Sequence, residues 1–299
     1  MTLSDFHTIL LAGFIAIVLS LVFWSVTLLS GLTARKVKRK SPFPEQILYE
    51  AGHFQHRELV LSDERMNGCL GALLIFVVIS SILYYALPRE IPMAISLWLW
   101  IIAGILLVLG VAFLIKLAID LARRRSALAY AYCAQIAIGH VLRRTALLGY
   151  RVFHHVPVEG GGFIDHVVVG PKGAYAIIVV ARKPDKKAGP NNVVHFKNAQ
   201  LWFNKTHKMA QPVRRAGRTS TMLVDKLTKL CGHRVVVQSV IVVPGWKTKP
   251  DPEANHLILN EQNILMLTNW TPVEAHLMNE DVTMIQEFLM DSCKNPQPV

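Results

Sequence analysis

The sequence is poor in charged residues and in cysteine. Charged residues make up 17% of the 299 residues and apolar residues 52%, which excludes an intrinsically disordered chain and a collagen-like repeat. The four cysteines are Cys69, Cys133, Cys231 and Cys293. Their wide separation excludes a dense disulfide framework and zinc ligands arranged as cysteine pairs, so we expect reduced thiols.

Charge is missing altogether from three long apolar stretches. No Asp, Glu, Lys or Arg occurs in residues 6–34, 66–88 and 91–115. Each stretch is long enough to cross the ~30 Å hydrocarbon core of a bilayer as a helix. The pattern predicts a membrane region, residues 1–125, with three transmembrane helices at about 8–30, 67–87 and 93–117.

The basic residues predict the orientation of these helices. Lys and Arg are concentrated in residues 35–40, after the first helix, and 123–125, after the third, whereas Arg89 alone lies in the second connection. Because basic loops stay in the cytoplasm, we expect the N-terminus outside and the C-terminal domain in the cytoplasm. We expect the lipid bilayer to be a bacterial inner membrane. A cleaved signal peptide is the alternative, but Asp5 precedes the apolar stretch and a basic start is lacking.

The segment 35–66 is predicted to be a cytoplasmic loop between the first two helices. It contains His53 and His56, which are candidates for a metal pair. The sequence offers no third ligand close by, so solvated histidines are the simpler interpretation.

Beyond Arg125 the pattern changes to alternating helices and strands, which predicts an α/β domain over 126–293 and a tail over 294–299. Ser126 is a candidate cap for a helix that ends at Gly149. Three strands are then predicted as an antiparallel meander, at Tyr150–Val158, Phe163–Val169 and Ala174–Ala181.

The rest of the domain is predicted as a helix, three strands and a helix. Pro212 opens the first of these helices and Gly232 ends it. The strands are expected at Arg234–Pro244, His256–Leu259 and Ile264–Leu267. A capping box at Thr271–Glu274 predicts the start of the last helix. A mixed sheet flanked by helices accommodates this order.

The stretch from Phe163 to Ile177 resembles a segment of the nuclease-related domain (NERD) family, whose fold is of the restriction-endonuclease type. It reads Phe-Ile-Asp-His, three valines, Gly-Pro-Lys-Gly and then an aromatic-bearing strand. The resemblance extends from about Ala134 to Leu289 and implies a nuclease-related fold for this domain. It also implies a divalent-metal site formed by an Asp and a Glu-x-Lys signature on the next strand, since two carboxylates hold Mg²⁺ and a lysine stabilises phosphate charge.

The residues at these positions depart from the family pattern. The Asp is kept as Asp165, but Ile178 and Val180 stand at the Glu and Lys positions. Three further polar positions also differ, being occupied by Gln135, Phe163 and Arg215 instead of Glu, Glu and Gln. The resemblance therefore predicts a retained fold, a vestigial Asp165, no metal site and no cofactor.

A relocated metal site is the alternative. Asp185 and Lys187 also form an acid-x-Lys pattern, and with Asp165 they would bind Mg²⁺ and make the protein an active nuclease. Pro184 and Pro190 flank this pattern, so a loop is expected there, and loops hold ligand geometry poorly. The adjacent His154 and His155 are expected to face opposite sides of their strand, which leaves them and His166 as structural or solvated histidines.

Positive charge is concentrated between Arg182 and Arg234, where thirteen Lys and Arg accompany two acids. Trp202 and Phe203 lie among them. Cations interleaved with aromatic rings suit DNA or RNA, whereas a solvated or lipid-facing basic surface, with the two rings in the core, is the alternative. The predicted nucleic-acid-binding residues are Arg182, Lys183, Lys186, Lys187, Lys205, Lys208, Arg214, Arg215 and Arg218.

The sequence thus favours a membrane-anchored, catalytically inactive nuclease-related protein that binds nucleic acid through a basic cytoplasmic face. Two other hypotheses remain open: the active nuclease described above, and a docking subunit of a bacterial membrane assembly for secretion, conjugation or defence.

Overall fold

The computed structural model describes residues 48–86, 93–160, 162–185, 192–204, 207–248, 255–268 and 275–294. Within the long helices, the side chains of residues 73, 76–86, 93–104, 106 and 107 are not described. The chain divides into two compact units, one formed by residues 1–39 and 58–127 and the other by residues 40–57 and 128–299.

Two long helices, α1 (His53–Ala86) and α2 (Met93–Arg143), cover the second and third predicted transmembrane segments. No helix in the described part of the chain is long and apolar enough to cross a membrane. The first predicted span, 8–30, lies outside the described residues. Arg125 on α2 forms an ion pair with Asp63 on α1, so these two positions are neighbours in the first unit.

The helix boundaries differ from the predicted ones in two places. Residues 53–66, predicted as loop, form the start of α1. Ser126 caps no helix, because α2 continues through it to Arg143 and is followed by a 3-10 turn, Arg144–Leu148. The stretch around Ser126 is rich in Ala, Leu and Arg, and the high helix propensity of these residues explains why the helix continues through a single serine. The predicted end at Gly149 is confirmed, since this residue has a φ of 80°.

The main sheet has five strands. The predicted meander is confirmed as β1 (Arg151–Val158), β2 (Gly162–Gly170) and β3 (Gly173–Val179), which pair antiparallel in that order. Parallel to β3 lies β7 (Val237–Val242), and β9 (Leu257–Leu259) pairs parallel with β7. The order β1-β2-β3-β7-β9 makes a mixed sheet, as expected, with β1 at one edge.

A second, small sheet was not predicted. It is formed by β4 (Val193–Lys197), β5 (Gln200–Phe203), β6 (His207–Met209) and β8 (Lys247–Thr248), in the order β6-β5-β4-β8. These strands are two to five residues long, too short for a clear alternation of apolar and polar residues.

Two helices complete the domain, α3 (Gln211–Cys231) and α4 (Asn279–Ser292). The predicted bounds of α3 are confirmed. The predicted strand Ile264–Leu267 is wrong, since these residues begin a 3-10 turn, Ile264–Thr268. The predicted capping box at Thr271–Glu274 lies outside the described residues. The last described helix begins at Asn279, after Met278 in an extended conformation.

Apolar residues cover both faces of the main sheet. On one face, Ala174, Ala176 and Ile178 belong to the core layer that contains Ala216 and Leu223 of α3. On the other, Tyr175, Ile177 and Val179 belong to the layer that contains Ala134, Ile138 and Leu142 of α2. Burial on both faces explains why β3 and β7 are almost continuous runs of aliphatic residues.

Candidate functional site

Asp165 lies near the middle of β2 and is 4% exposed. Its Oδ1 accepts a hydrogen bond of 2.9 Å from Nη2 of Arg215, and its Oδ2 accepts one of 2.8 Å from the backbone N–H of Val179. The side chain of Gln135 also hydrogen-bonds Asp165. Since Oε1 of Gln135 has no partner, the amide nitrogen is the donor. Both carboxylate oxygens are therefore engaged by groups of the protein itself.

Arg215 reaches Asp165 from the first turns of α3. The same Nη2 donates to the backbone oxygen of Phe163 at 3.0 Å, and the guanidinium lies over the Phe163 ring, 4.7 Å from its centre. Its side chain is 34% exposed. Arg215, predicted to bind nucleic acid, is thus committed to an internal ion pair, fixed by two acceptors and an aromatic face.

Opposing effects act on the Asp165 carboxyl. Burial, the largest, raises its pKa above the usual value, because a charged group loses its hydration. The Arg215 guanidinium and the N–H donors counteract this rise because they stabilise the ionised form. A buried acid with a cation beside it is stable only while both partners are present.

The positions that would complete a metal site are apolar and buried. Ile178 is 2% and Val180 7% exposed, and both belong to the core layer that includes α3. The last paired residues of β2 and β3 are His166 and Ile177, so the next step of this register places Asp165 opposite Ile178. The arrangement supplies one carboxylate where a hard cation needs several oxygen ligands, and so it does not fit Mg²⁺. Across the described residues, His, Cys, Asp and Glu form no group of three that suits a metal ion.

Asp185 of the relocated-site alternative lies in the coil after β3 and is exposed. Its backbone N–H donates to Asn192 Oδ1 and its backbone oxygen accepts from Asn192 Nδ2, both at 3.0 Å. These bonds fix the main chain at the start of the loop. Lys187 lies outside the described residues.

The neighbouring histidines take separate environments, as expected for adjacent strand residues. His154 and His166 form a buried pair, with their Nδ1 atoms 2.7 Å apart. His155 has a φ of 52°, and its ring contacts those of Tyr49, Phe54 and Phe163 with centroid distances of 5.0, 6.3 and 4.3 Å.

Burial is the main cause of the low pKa of these imidazoles. It lowers the pKa of His154 and of His155 to about 4, and it holds the pKa of His166 well below its ordinary value. The rings are therefore neutral at physiological pH. His53 packs beside His155, with ring centroids 5.8 Å apart, whereas the ring of His56 contacts Tyr132.

The remaining predicted nucleic-acid contacts fall into three groups. Lys183, Lys208, Arg214 and Arg218 are exposed. Arg182 is half-buried with its guanidinium over the ring of Phe203, 5.0 Å from the centroid. Lys186, Lys187 and Lys205 lie outside the described residues.

The two aromatic residues of this segment differ in accessibility. Phe203 is 1% exposed and packs edge-on against Trp246, so it is core and cannot stack on a base. Trp202 is half-exposed, with the Lys208 ammonium 6.0 Å from its ring centroid. Sequence reasoning missed the aromatic contacts of Tyr49 and Phe54 with His155, because more than a hundred residues separate the partners in the chain.

Comparison with known proteins adds one family. Neither the curated proteins nor the solved structures contain a match to this chain. Residues 134–244 match the model of the nuclease-related domain (NERD) family, which supports assigning this part of the chain to that family.

Proposed function

We propose that the nuclease-related domain of this protein has lost metal-dependent hydrolysis and binds nucleic acid through its basic face. The observation that carries the loss of hydrolysis is the Asp165–Arg215 ion pair. A guanidinium at 2.9 Å supplies the positive charge that a divalent cation would otherwise supply to this carboxylate. With Ile178 and Val180 beside it, the pocket has neither the second acid nor the lysine that hydrolysis of a phosphodiester requires.

The binding half of the proposal rests on the exposed cations of α3 and the small sheet. Arg214 and Arg218 lie one helical turn apart, and neither forms an ion pair with a described residue. Lys208 and the half-exposed Trp202 lie on adjacent strands, where they pair across the ladder. Free cations beside an aromatic ring are suited to a phosphate backbone with one base stacked on the ring. We name Arg214, Arg218, Lys208 and Trp202 the basic face.

A filter-binding titration of the full-length protein in detergent tests this proposal, with single-stranded and double-stranded DNA and RNA as probes. We expect Arg214→Glu with Arg218→Glu to weaken binding at least tenfold. The dependence of log K on log salt should also become shallower by about 1.4–1.8, since two phosphate contacts are lost at about 0.7–0.9 each. Lys229→Glu is the matched control, because it reverses an exposed charge in the last turn of the same helix.

Binding that is absent at low salt, or equally strong in the double variant, would contradict the nucleic-acid proposal.

A second assay tests the enzyme alternative. In this assay the purified protein is incubated with labelled DNA and RNA in the presence of Mg²⁺ or Mn²⁺. Cleavage by the purified protein that disappears in Asp185→Ala would support an active nuclease instead. Asp185 suits this test because it is exposed, so its replacement leaves the core intact.

We further propose that the first unit attaches the protein to a lipid bilayer. Besides the charge-free stretches, the support is a set of exposed apolar side chains on α2, of which Ile105, Leu109 and Phe113 are 55%, 60% and 67% exposed. Their spacing of four places them on one face of the helix, and such faces are rarely left to water. Retention of the full-length protein in the membrane pellet after an alkaline carbonate wash is expected. Release of the protein into the supernatant would contradict integral attachment.

Purification of the full-length protein in detergent tests the docking-subunit alternative. Partner proteins that co-purify with it would support that alternative.

A further inference from the structure

The second unit contains a cavity that belongs neither to the Asp165 site nor to the basic face. It lies between residues 48–51, the last turns of α2, the start of β1 and Cys293. Its volume of about 570 Å³ is within the range of small-ligand sites. Apolar side chains, among them Ile136, Val152 and Phe153, form much of its wall. The cavity therefore suits a ligand with an apolar body.

Two arginines give the cavity a positive character. Arg143, in the last turn of α2, is exposed and forms no hydrogen bond or ion pair with a described residue. Arg151, at the start of β1, makes two weak contacts: its Nη2 lies 3.9 Å from the sulfur of Met290, and its guanidinium lies over the ring of Phe153, 5.9 Å from the centroid. Glu50 is the acid in the wall, and no ion pair among the described residues joins it to either arginine. Both guanidiniums remain available to an anion.

His154 is a further polar group of the wall. Its Nδ1 lies 2.7 Å from Nδ1 of His166, so one ring donates this hydrogen and the other accepts it. Nε2 of His166 is buried without a partner. A buried ring nitrogen without a hydrogen-bond partner destabilises the folded state less when it carries no hydrogen than when it is an unpaired N–H donor. His166 is therefore the donor at Nδ1, and the hydrogen of neutral His154 lies on Nε2.

We propose that this cavity binds a small organic anion, a carboxylate or phosphate monoester carried on an apolar body. Arg143 and Arg151 pair with the anionic group, Nε2–H of His154 adds a neutral donor, and the apolar body lies against Ile136, Val152 and Phe153. Three donors that form no ion pair with Glu50, beside an apolar wall, are the arrangement that recognises this ligand class. The proposal is independent of nucleic-acid binding, since it shares no residue with the basic face.

Isothermal titration calorimetry on the full-length protein in detergent tests this site. The probes are 1-naphthoate, 1-naphthyl phosphate, neutral 1-naphthylmethanol and inorganic phosphate. We expect one or both naphthyl anions to bind at least tenfold more tightly than naphthylmethanol and than inorganic phosphate. The tighter of the two anions distinguishes a carboxylate ligand from a phosphate ligand.

Arg143→Ala should weaken binding of the preferred anion at least tenfold. Arg144→Ala is the matched control, because Arg144 is the next residue, is exposed and does not line the cavity, and we expect its effect to stay within twofold. Arg143→Lys keeps the charge and loses the planar guanidinium, so its affinity for the anion should lie between those of the two alanine variants. Partial binding by this variant would show that the loss in Arg143→Ala is not due to misfolding. Undetectable binding of both anions, equal affinity for the neutral probe, or equal losses in the Arg143 and Arg144 variants would overturn the proposal.

Discussion

At the scale of single residues, the decisive feature is how one acid remains buried in a sheet core. Asp165 is surrounded by aliphatic side chains, and burial alone would make a charged carboxylate prohibitively unstable. Arg215 compensates because its guanidinium, on a side chain that is 34% exposed, donates a hydrogen bond to Oδ1 of Asp165. The departure of Arg215 from the family pattern was visible in the sequence, but its partner, 50 residues away, was not.

Arg215→Met is expected to lower the melting temperature of the full-length protein by about 5–10 °C, because it leaves Asp165 buried without its cation. The corresponding loss is about 2–4 kcal/mol, smaller than for a fully buried pair since Arg215 is partly solvated. Differential scanning fluorimetry measures the shift. Arg214→Met, at an exposed neighbour, should change stability by no more than about 0.5 kcal/mol.

The same pair also predicts a specific non-additivity. Asp165→Asn combined with Arg215→Met should be more stable than the sum of the two single changes by about 1–3 kcal/mol, because the double variant contains no unpaired buried charge. Additive losses within error would show that the ion pair is incidental to the stability of the domain.

The buried imidazoles predict a loss of stability in acid. The pKa of His154 is lowered to about 4 by burial, whereas an unfolded chain has a histidine pKa of about 6.5. Between these values the unfolded state binds more protons, so the stabilising contribution is complete above pH 6.5 and is lost progressively as the pH falls toward 4. Melting temperatures between pH 7.5 and pH 5 should decrease, with His154 accounting for on the order of 1–2 kcal/mol by pH 5.

His154→Leu with His166→Leu removes both rings of the pair, and the melting temperature of this variant should depend less steeply on pH. Some dependence should remain, since His155, whose pKa is also lowered to about 4, is retained. The exposed His207→Leu serves as the control and should keep the slope of the parent protein. An unchanged slope in the double variant would contradict the assignment of acid sensitivity to this pair.

At the scale of elements, prediction succeeded where local chemistry decides the structure. Gly149 and Gly232 end helices as expected, and the Gly-Pro-Lys-Gly turn joins β2 to β3. It failed where side-chain hydrogen bonds override the composition of a segment. Ile264–Leu267 has the composition of a strand, but Asn260 and Asn263 hold it as a 3-10 turn through bonds to backbone N–H groups. Such local side-chain bonds compete with strand pairing and leave no apolar periodicity to detect.

The turn between β2 and β3 gives a prediction at this scale. Gly173 has a φ of 129°, and a Cβ there would lie 2.8 Å from the backbone oxygen of Ala275. Gly173→Ala is expected to destabilise the domain by about 2–4 kcal/mol, since it adds a clash with backbone to the conformational strain. Gly232→Ala isolates the strain, because its φ is 74° and its surroundings are open, and should cost about 1 kcal/mol. Equal effects in thermal unfolding would show that Ala275 yields without cost.

At the scale of the whole molecule, the described chain combines a first unit that contains most of two long helices with a second unit built around a mixed sheet. Charge-free length and the position of basic residues are properties of the sequence alone, so the membrane topology stays a prediction from the sequence. The replacement of the family's Glu and Lys by Ile178 and Val180 likewise stays an expectation from the sequence resemblance. The cavity beside β1 was not, because its wall combines residues 48–51, α2 and Cys293, which only the folded chain brings together.

The proposed topology makes a prediction about Cys133. This is the cysteine that the structure places on the surface of the second unit, while Cys293 is buried and Cys231 is half-buried. If the second unit lies in the cytoplasm, a membrane-impermeant maleimide should leave Cys133 unmodified in intact spheroplasts and label it after permeabilisation. Cys133→Ser should remove most of this signal, which identifies the labelled residue. Labelling before permeabilisation would place the second unit outside the membrane, where the proposed basic face would be separated from the cell's nucleic acid.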